Sequence, residues 1–148
     1  MIEDRIEREV VVAAAPERVW EIITQAEHVG KWFGDSAEID LRPGGTMVLR
    51  WDKHGTQYAT IEKIDRPRNF SYRWKPGVTD EKPSNDDSTL VEFTLTPHEG
   101  QTRLSVIETG FSRLPLGEGK RAKQFEQNSN GWEIQLRDLR EYVDGLAV

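Results

Sequence analysis

The sequence predicts an α+β domain in which an antiparallel sheet of about seven strands wraps around one long C-terminal helix. Two short helices follow the first strand, and the interior holds a cavity. Three observations predict this. Short runs of alternating apolar and polar residues, separated by Gly- and Pro-rich turns, fill the middle of the 148-residue chain. An apolar seam at helical spacing runs from Phe125 to Val143. Large aromatics recur at the inward positions of both kinds of element: Trp20, Trp32, Phe33, Trp51, Tyr72, Trp74 and Trp132.

Arg5 to Ala13 reads as a strand carrying Ile6, Val10, Val11 and Val12. Pro16 then opens a helix, since the N–H it lacks is not needed at the first helical position. Glu17 follows in the first turn, where a carboxylate favours the helix dipole. Val19, Trp20, Ile22, Ile23 and Ala26 supply its apolar face, and a second short helix runs from Ala26 to Phe33 and stops at Gly34. Six further strands are expected over Ala37–Leu41, Thr46–Asp52, Gln57–Ile64, Asn69–Lys75, Ser88–Thr96 and Thr102–Thr109. The turns between them are read from Arg42-Pro43-Gly44-Gly45, His54-Gly55, Arg66-Pro67-Arg68 and Pro97-His98-Glu99-Gly100. Alternation places Met47, Leu49 and Trp51 on one face, as it does Phe70, Tyr72 and Trp74, and Val91, Phe93 and Leu95. The other face is polar, as expected of an antiparallel sheet covered on one side. In the closing helix Phe125, Ser129, Trp132, Leu136, Leu139 and Val143 make the inward seam; its first half also carries Asn128 and Gly131, which a purely packed helix does not favour.

One domain is expected at this length. Twenty basic against 26 acidic residues give a net charge of -6, which disfavours nucleic acid and anionic membrane as partners. No apolar run approaches the roughly 20 residues of a membrane span, and no signal-peptide pattern opens the chain, so a cytoplasmic location is the expectation. The absence of cysteine removes disulfides, thiolate nucleophiles and sulfur-ligated metal.

Order and motifs together form the helix-grip pattern. The residues that carry a family likeness are Pro16-x-x-Val19-Trp20, Thr24, Trp32-Phe33, Asp40-Leu41-Arg42-Pro43-Gly44-Gly45 and Gly55. They continue with Pro67-x-x-Phe70, Trp74, Thr102-x-Leu104, Gly110-Phe111 and Gly131-Trp132-x-x-x-Leu136-x-x-Leu139. In these the chain resembles the SRPBCC superfamily (START and birch-pollen-allergen-like), and within it the homologues of the activator of heat-shock protein 90 ATPase. The resemblance covers nearly the whole chain and implies a sheet-and-helix cavity. Activity does not follow, because such folds host many functions. Ala59 stands where many relatives have glycine, and Glu108 where histidine is frequent. Activation of the chaperone belongs, by the same resemblance, to a larger two-domain protein.

Candidate chemistry is sparse. His54 and His98 fall in turns, and His28 lies between the two short helices beside Glu27 and Lys31. No spacing suggests a metal site, Gly-x-Ser-x-Gly is absent, and Gly44-Gly45 is a hairpin turn with no helix behind it. Glu108 shares a strand face with Leu104 and Val106, so alternation turns it inward, where a carboxylate must be hydrated, paired or used on a ligand. The competing reading ends or bulges the strand first and gives Glu108 to a surface arginine. Asn128 and Ser129 either serve a ligand or face solvent.

The resulting expectation is a cofactor-free binding protein for a small hydrophobic or aromatic molecule, in a cavity of about 300–1,000 Å³. Its walls are Trp20, Trp32, Phe33, Trp51, Tyr72, Trp74, Phe93, Phe111, Phe125 and Trp132, with Glu108, Ser129 and His28 as polar anchors. Pro76–Asp87 and Phe111–Lys120 are expected lids. Two alternatives stand beside it: a cyclase- or hydratase-like enzyme using Glu108 as base, and a chaperone-associated or stress-response interaction module. Homodimerisation is compatible with each.

Overall fold

A computed structural model describes residues 4–53, 55–75, 83 and 87–146. Strand β1 (Arg5–Val12) leads to helices α1 (Pro16–Thr24) and α2 (Ala26–Trp32). A meander follows: β2 (Ser36–Ile39), β3 (Thr46–Trp51), β4 (Gly55–Asp65), β5 (Asn69–Trp74), β6 (Thr89–His98) and β7 (Gln101–Thr109). A 3₁₀ turn at Phe111–Arg113 precedes α3 (Glu118–Leu146), whose 29 residues span about 44 Å. All pairings are antiparallel in the order β1-β7-β6-β5-β4-β3-β2, so the first strand closes the meander beside the last one. The helix-grip fold is therefore as the sequence predicts.

Elements form where local chemistry favours them. Pro16 and Glu17 occupy the first turn of α1, which buries Val19, Trp20, Ile22 and Ile23. A single extended residue, Gln25, separates α1 from α2. Gly34, at φ 94°, ends that unit; a Cβ there would lie 2.9 Å from the Arg50 carbonyl oxygen, so this turn needs glycine. Gly45 is bound more tightly still, since its Cβ would stand 2.0 Å from the Asp40 carbonyl oxygen. β2 ends at Ile39, short of the expected Leu41.

One expected turn is smaller than its composition suggests. Pro97 and His98 remain in the β6–β7 ladder, opposite Thr102 and Gln101. The reversal is made by Glu99 and Gly100 alone, both at positive φ, as a two-residue hairpin loop requires.

The concave face of the sheet and the inward seam of α3 enclose one core. Phe70, Tyr72, Trp74, Phe93, Leu104 and Val106 come from the sheet; Trp132, Leu136, Leu139 and Val143 come from α3. Phe125 is only partly buried and packs edge-on against Phe111. No helix among the described residues is long and apolar enough to cross a membrane.

Candidate functional site: an aromatic slot held by a buried glutamate

Strand alternation does bring Glu108 inward. It lies in a row across five strands, Ile6–Glu108–Val91–Tyr72–Ile61, whose every member is buried. Neither a surface arginine nor solvent reaches it. Instead four side chains turn donors towards it. Trp74 Nε1 donates to Oε2 at 2.8 Å, and the Thr89 hydroxyl donates to the same oxygen. Trp132 Nε1 donates to Oε1 at 2.8 Å, while the Asn128 amide spans both oxygens at 3.1 Å.

Two periodicities converge to build this cluster. Thr89 lies two residues from Val91, the cross-strand partner of Glu108, and therefore on the same face; Trp74 is the partner of Thr89. Asn128 and Trp132 are four residues apart on α3, on one helix face above the sheet. Burial pushes the Glu108 carboxyl above its ordinary range, and the bonds from Thr89, Trp74, Trp132 and Asn128 offset that only in part. Two places along the row, beyond Val91, burial first and the Glu108 charge second raise the Tyr72 phenol well above its usual value. Its hydroxyl is buried without a hydrogen-bond partner.

Directly beside the cluster is a pocket of about 180 Å³ between the sheet and the first half of α3. Phe33, Trp51, Trp74 and Trp132 form its aromatic walls, and Gln57, Gln127, Asn128 and Gln135 its polar edges. Gly131, between Gln127 and Gln135 at four-residue spacing, adds no side chain to the slot; a Cβ there would meet nothing within 4 Å. Trp74 and Trp132 stack with ring centres 5.6 Å apart, and Phe33 touches both as well as Trp51. Glu108 thus fixes two walls and one polar edge of the slot without lining it.

This space is smaller than the expected cavity because the remaining aromatics fill the core. Trp20 packs edge-on against Phe70, Tyr72 and Phe93 are wholly enclosed, and Phe111 meets Phe125. Trp32 donates to the Ile22 carbonyl oxygen at 3.0 Å and stacks on Phe33. Ser129 accepts from Arg8, an inward-facing residue of β1, and does not line the slot. His28 Nδ1 pairs with the Tyr142 hydroxyl at 2.7 Å and fastens α2 to α3. His98 is on the surface near Arg103, and His54 lies outside the described residues. Of the two expected lids, Pro76–Asp87 falls almost wholly outside the described residues. Within Phe111–Lys120, Phe111 and Leu114 are buried, the other residues are exposed, and Glu118 to Lys120 already belong to α3.

Arg8, Thr89, Gln57, Gln127 and Gln135 were not singled out in the sequence. Thr89 was recoverable, since Thr89, Val91 and Phe93 alternate inward; the glutamines looked like ordinary helix or strand surface. Among the described residues no group of three or more His, Asp or Glu side chains gathers to hold a metal.

Known proteins place this architecture. Protein MLL2253 of Mesorhizobium loti superposes with a TM-score of 0.77 at 20% identity, covering 95% of this chain and 96% of that one. The Aha1 dimer of Colwellia psychrerythraea gives 0.75 at 16% identity, with the same coverage. CalU16 of Micromonospora echinospora gives 0.69 at 22% identity over 94% of this chain and 75% of that one. Likeness at these identities is likeness of fold. No protein of curated function matches the chain. The family described as "Activator of Hsp90 ATPase homolog 1-like protein" matches residues 13–144, nearly the full length. The chain therefore belongs to the Activator of Hsp90 ATPase homolog 1-like family.

Proposed function

We propose that this protein binds a small aromatic or hydrophobic molecule in the slot between its sheet and α3. The observation that carries this reading is the lining itself: four aromatic walls, neutral amide edges, and a helix glycine that leaves the space open. Its volume equals that of about six waters at bulk density, which suits a one- or two-ring molecule. Phe33, Trp51, Trp74 and Trp132 are the contact residues in this reading. Trp20, Trp32, Tyr72, Phe93, Phe111 and Phe125 support them from the core.

Glu108 is the positioning residue of the site. Its oxygens already receive bonds from four side chains, so it serves the reading better as the anchor of Trp74, Trp132 and Asn128 than as a base. Chaperone contact, which the resemblance raises, and homodimerisation lie outside this reading.

Filling the slot tests it. Gly131→Leu places a branched side chain where a Cβ meets open space, and it replaces a poor helix former with a good one. Titrating indole against the wild type, followed by tryptophan fluorescence, should give saturable quenching. In Gly131→Leu the affinity should fall about tenfold or more, the loss of roughly 1.4 kcal/mol of contact, while the melting temperature holds or rises. Equal affinity in the folded variant would reject the slot as the binding site.

A further inference from the structure

We propose that the slot and the cleft beside it form one bipartite site for a small aromatic amine, with the ring in the slot and the ammonium in the cleft. The inference rests on the reading of the slot as a ligand site and names the class of molecule it takes. The cleft, about 530 Å³, lies between the α2–β2 turn and the second half of α3. It shares Trp51 and Gln135 with the slot, so the two spaces adjoin through one aromatic ring and one amide.

Acceptors dominate that junction. Asp35, Asp138 and Glu141 line the cleft against one ammonium, that of Lys31. Asp35 Oδ2 is occupied by the Asp52 backbone N–H at 2.6 Å. Asp138 and Glu141 enter no ion pair or side-chain hydrogen bond among the described residues. Gln135 lines both spaces, and its Oε1 is buried and met by no donor. A buried acceptor of this kind is unfavourable until a donor reaches it.

A ligand spanning both spaces therefore needs a flat apolar end and a donor-bearing cationic end. The ammonium meets Gln135 Oε1 and the Asp138 carboxylate, and the partly buried Trp51 lines the same junction. A carboxylate-bearing ligand of the same shape would face two unpaired carboxylates and an orphan acceptor. The surplus of negative charge in a concave site also raises the local concentration of cations.

Three matched probes separate this inference from the one beneath it: indole, tryptamine and indole-3-acetate, titrated at low salt. Tryptamine should bind about tenfold tighter than indole, as a charge-assisted hydrogen bond supplies, and indole-3-acetate weaker than both. In Asp138→Asn the ratio of tryptamine to indole affinity should fall towards one. Glu141→Gln should reduce it by less, and added salt should shrink it in the wild type. Tryptamine binding no tighter than indole, or an unchanged ratio in Asp138→Asn, overturns the amine site and leaves the slot intact. Failure of all three probes to bind overturns both.

Discussion

Glu108→Leu is expected to lower the stability of this protein by about 4 kcal/mol or more, measured by urea unfolding. The leucine fills similar space but accepts nothing. Trp74 Nε1, Trp132 Nε1, the Thr89 hydroxyl and the Asn128 amide would all lose their acceptor, and the first three are on buried residues. Each stranded donor costs about 1–3 kcal/mol, and relaxation of Asn128 towards solvent recovers part of the sum. Set against a total stability of roughly 5–15 kcal/mol for a domain, this is enough to threaten folding. Glu108→Gln should fall between the two. Its one oxygen still accepts, but its NH₂ meets donors with a donor.

The Gln variant also isolates a pH dependence with a definite sign. Glu108 titrates above its ordinary value in the folded chain, burial being the leading cause, so the folded state holds that proton more tightly than the unfolded state. The stabilisation this gives is complete below the unfolded pKa. It is lost as pH rises through the folded one. Urea unfolding of wild type and Glu108→Gln, repeated from acid to alkaline pH, should show the wild type losing its margin over the variant as pH rises. Parallel profiles would mean that the ionised carboxylate is as well accommodated by its four donors as by water.

How much of this was legible in the sequence divides along a physical line. Period-two alternation fixes which way a strand residue points, and it correctly sent Glu108, Tyr72 and Trp74 inward. Turn chemistry placed nearly every strand to within a residue or two, because glycine and proline act locally. The register of α3 over the sheet is not local. Nothing in the residues around Ser129 says that its neighbour is Arg8, or that Asn128 rather than Ser129 reaches Glu108. The sequence offered Glu108 a ligand or a surface arginine; the structure gives it two indoles, an amide and a hydroxyl. Indole N–H groups are easily overlooked as donors when tryptophans are read as apolar walls. The size of the cavity was lost for a related reason. Ten aromatics can line a space or fill it, and side-chain direction decides which.

Trp132 is where wall and anchor coincide, and truncating it should have the second large effect. Its ring contacts Phe33, Trp74 and Phe93, and its N–H holds Glu108 Oε1. Trp132→Ala should cost about 3–5 kcal/mol, the usual range for removing a buried aromatic, and should weaken indole binding because a slot wall is gone. Trp132→Phe separates the two roles. It keeps an aromatic wall but removes the donor, so its cost should be nearer about 1.5–3 kcal/mol, the value of one hydrogen bond to a charged acceptor. Because Glu108 would keep three of its four partners, the loss should deepen as pH rises and the carboxylate ionises. A Trp132→Phe protein as stable as the wild type at every pH would show that packing alone sets the position of Trp132. The glutamate would then be a tolerated burial rather than the residue that holds the slot in shape.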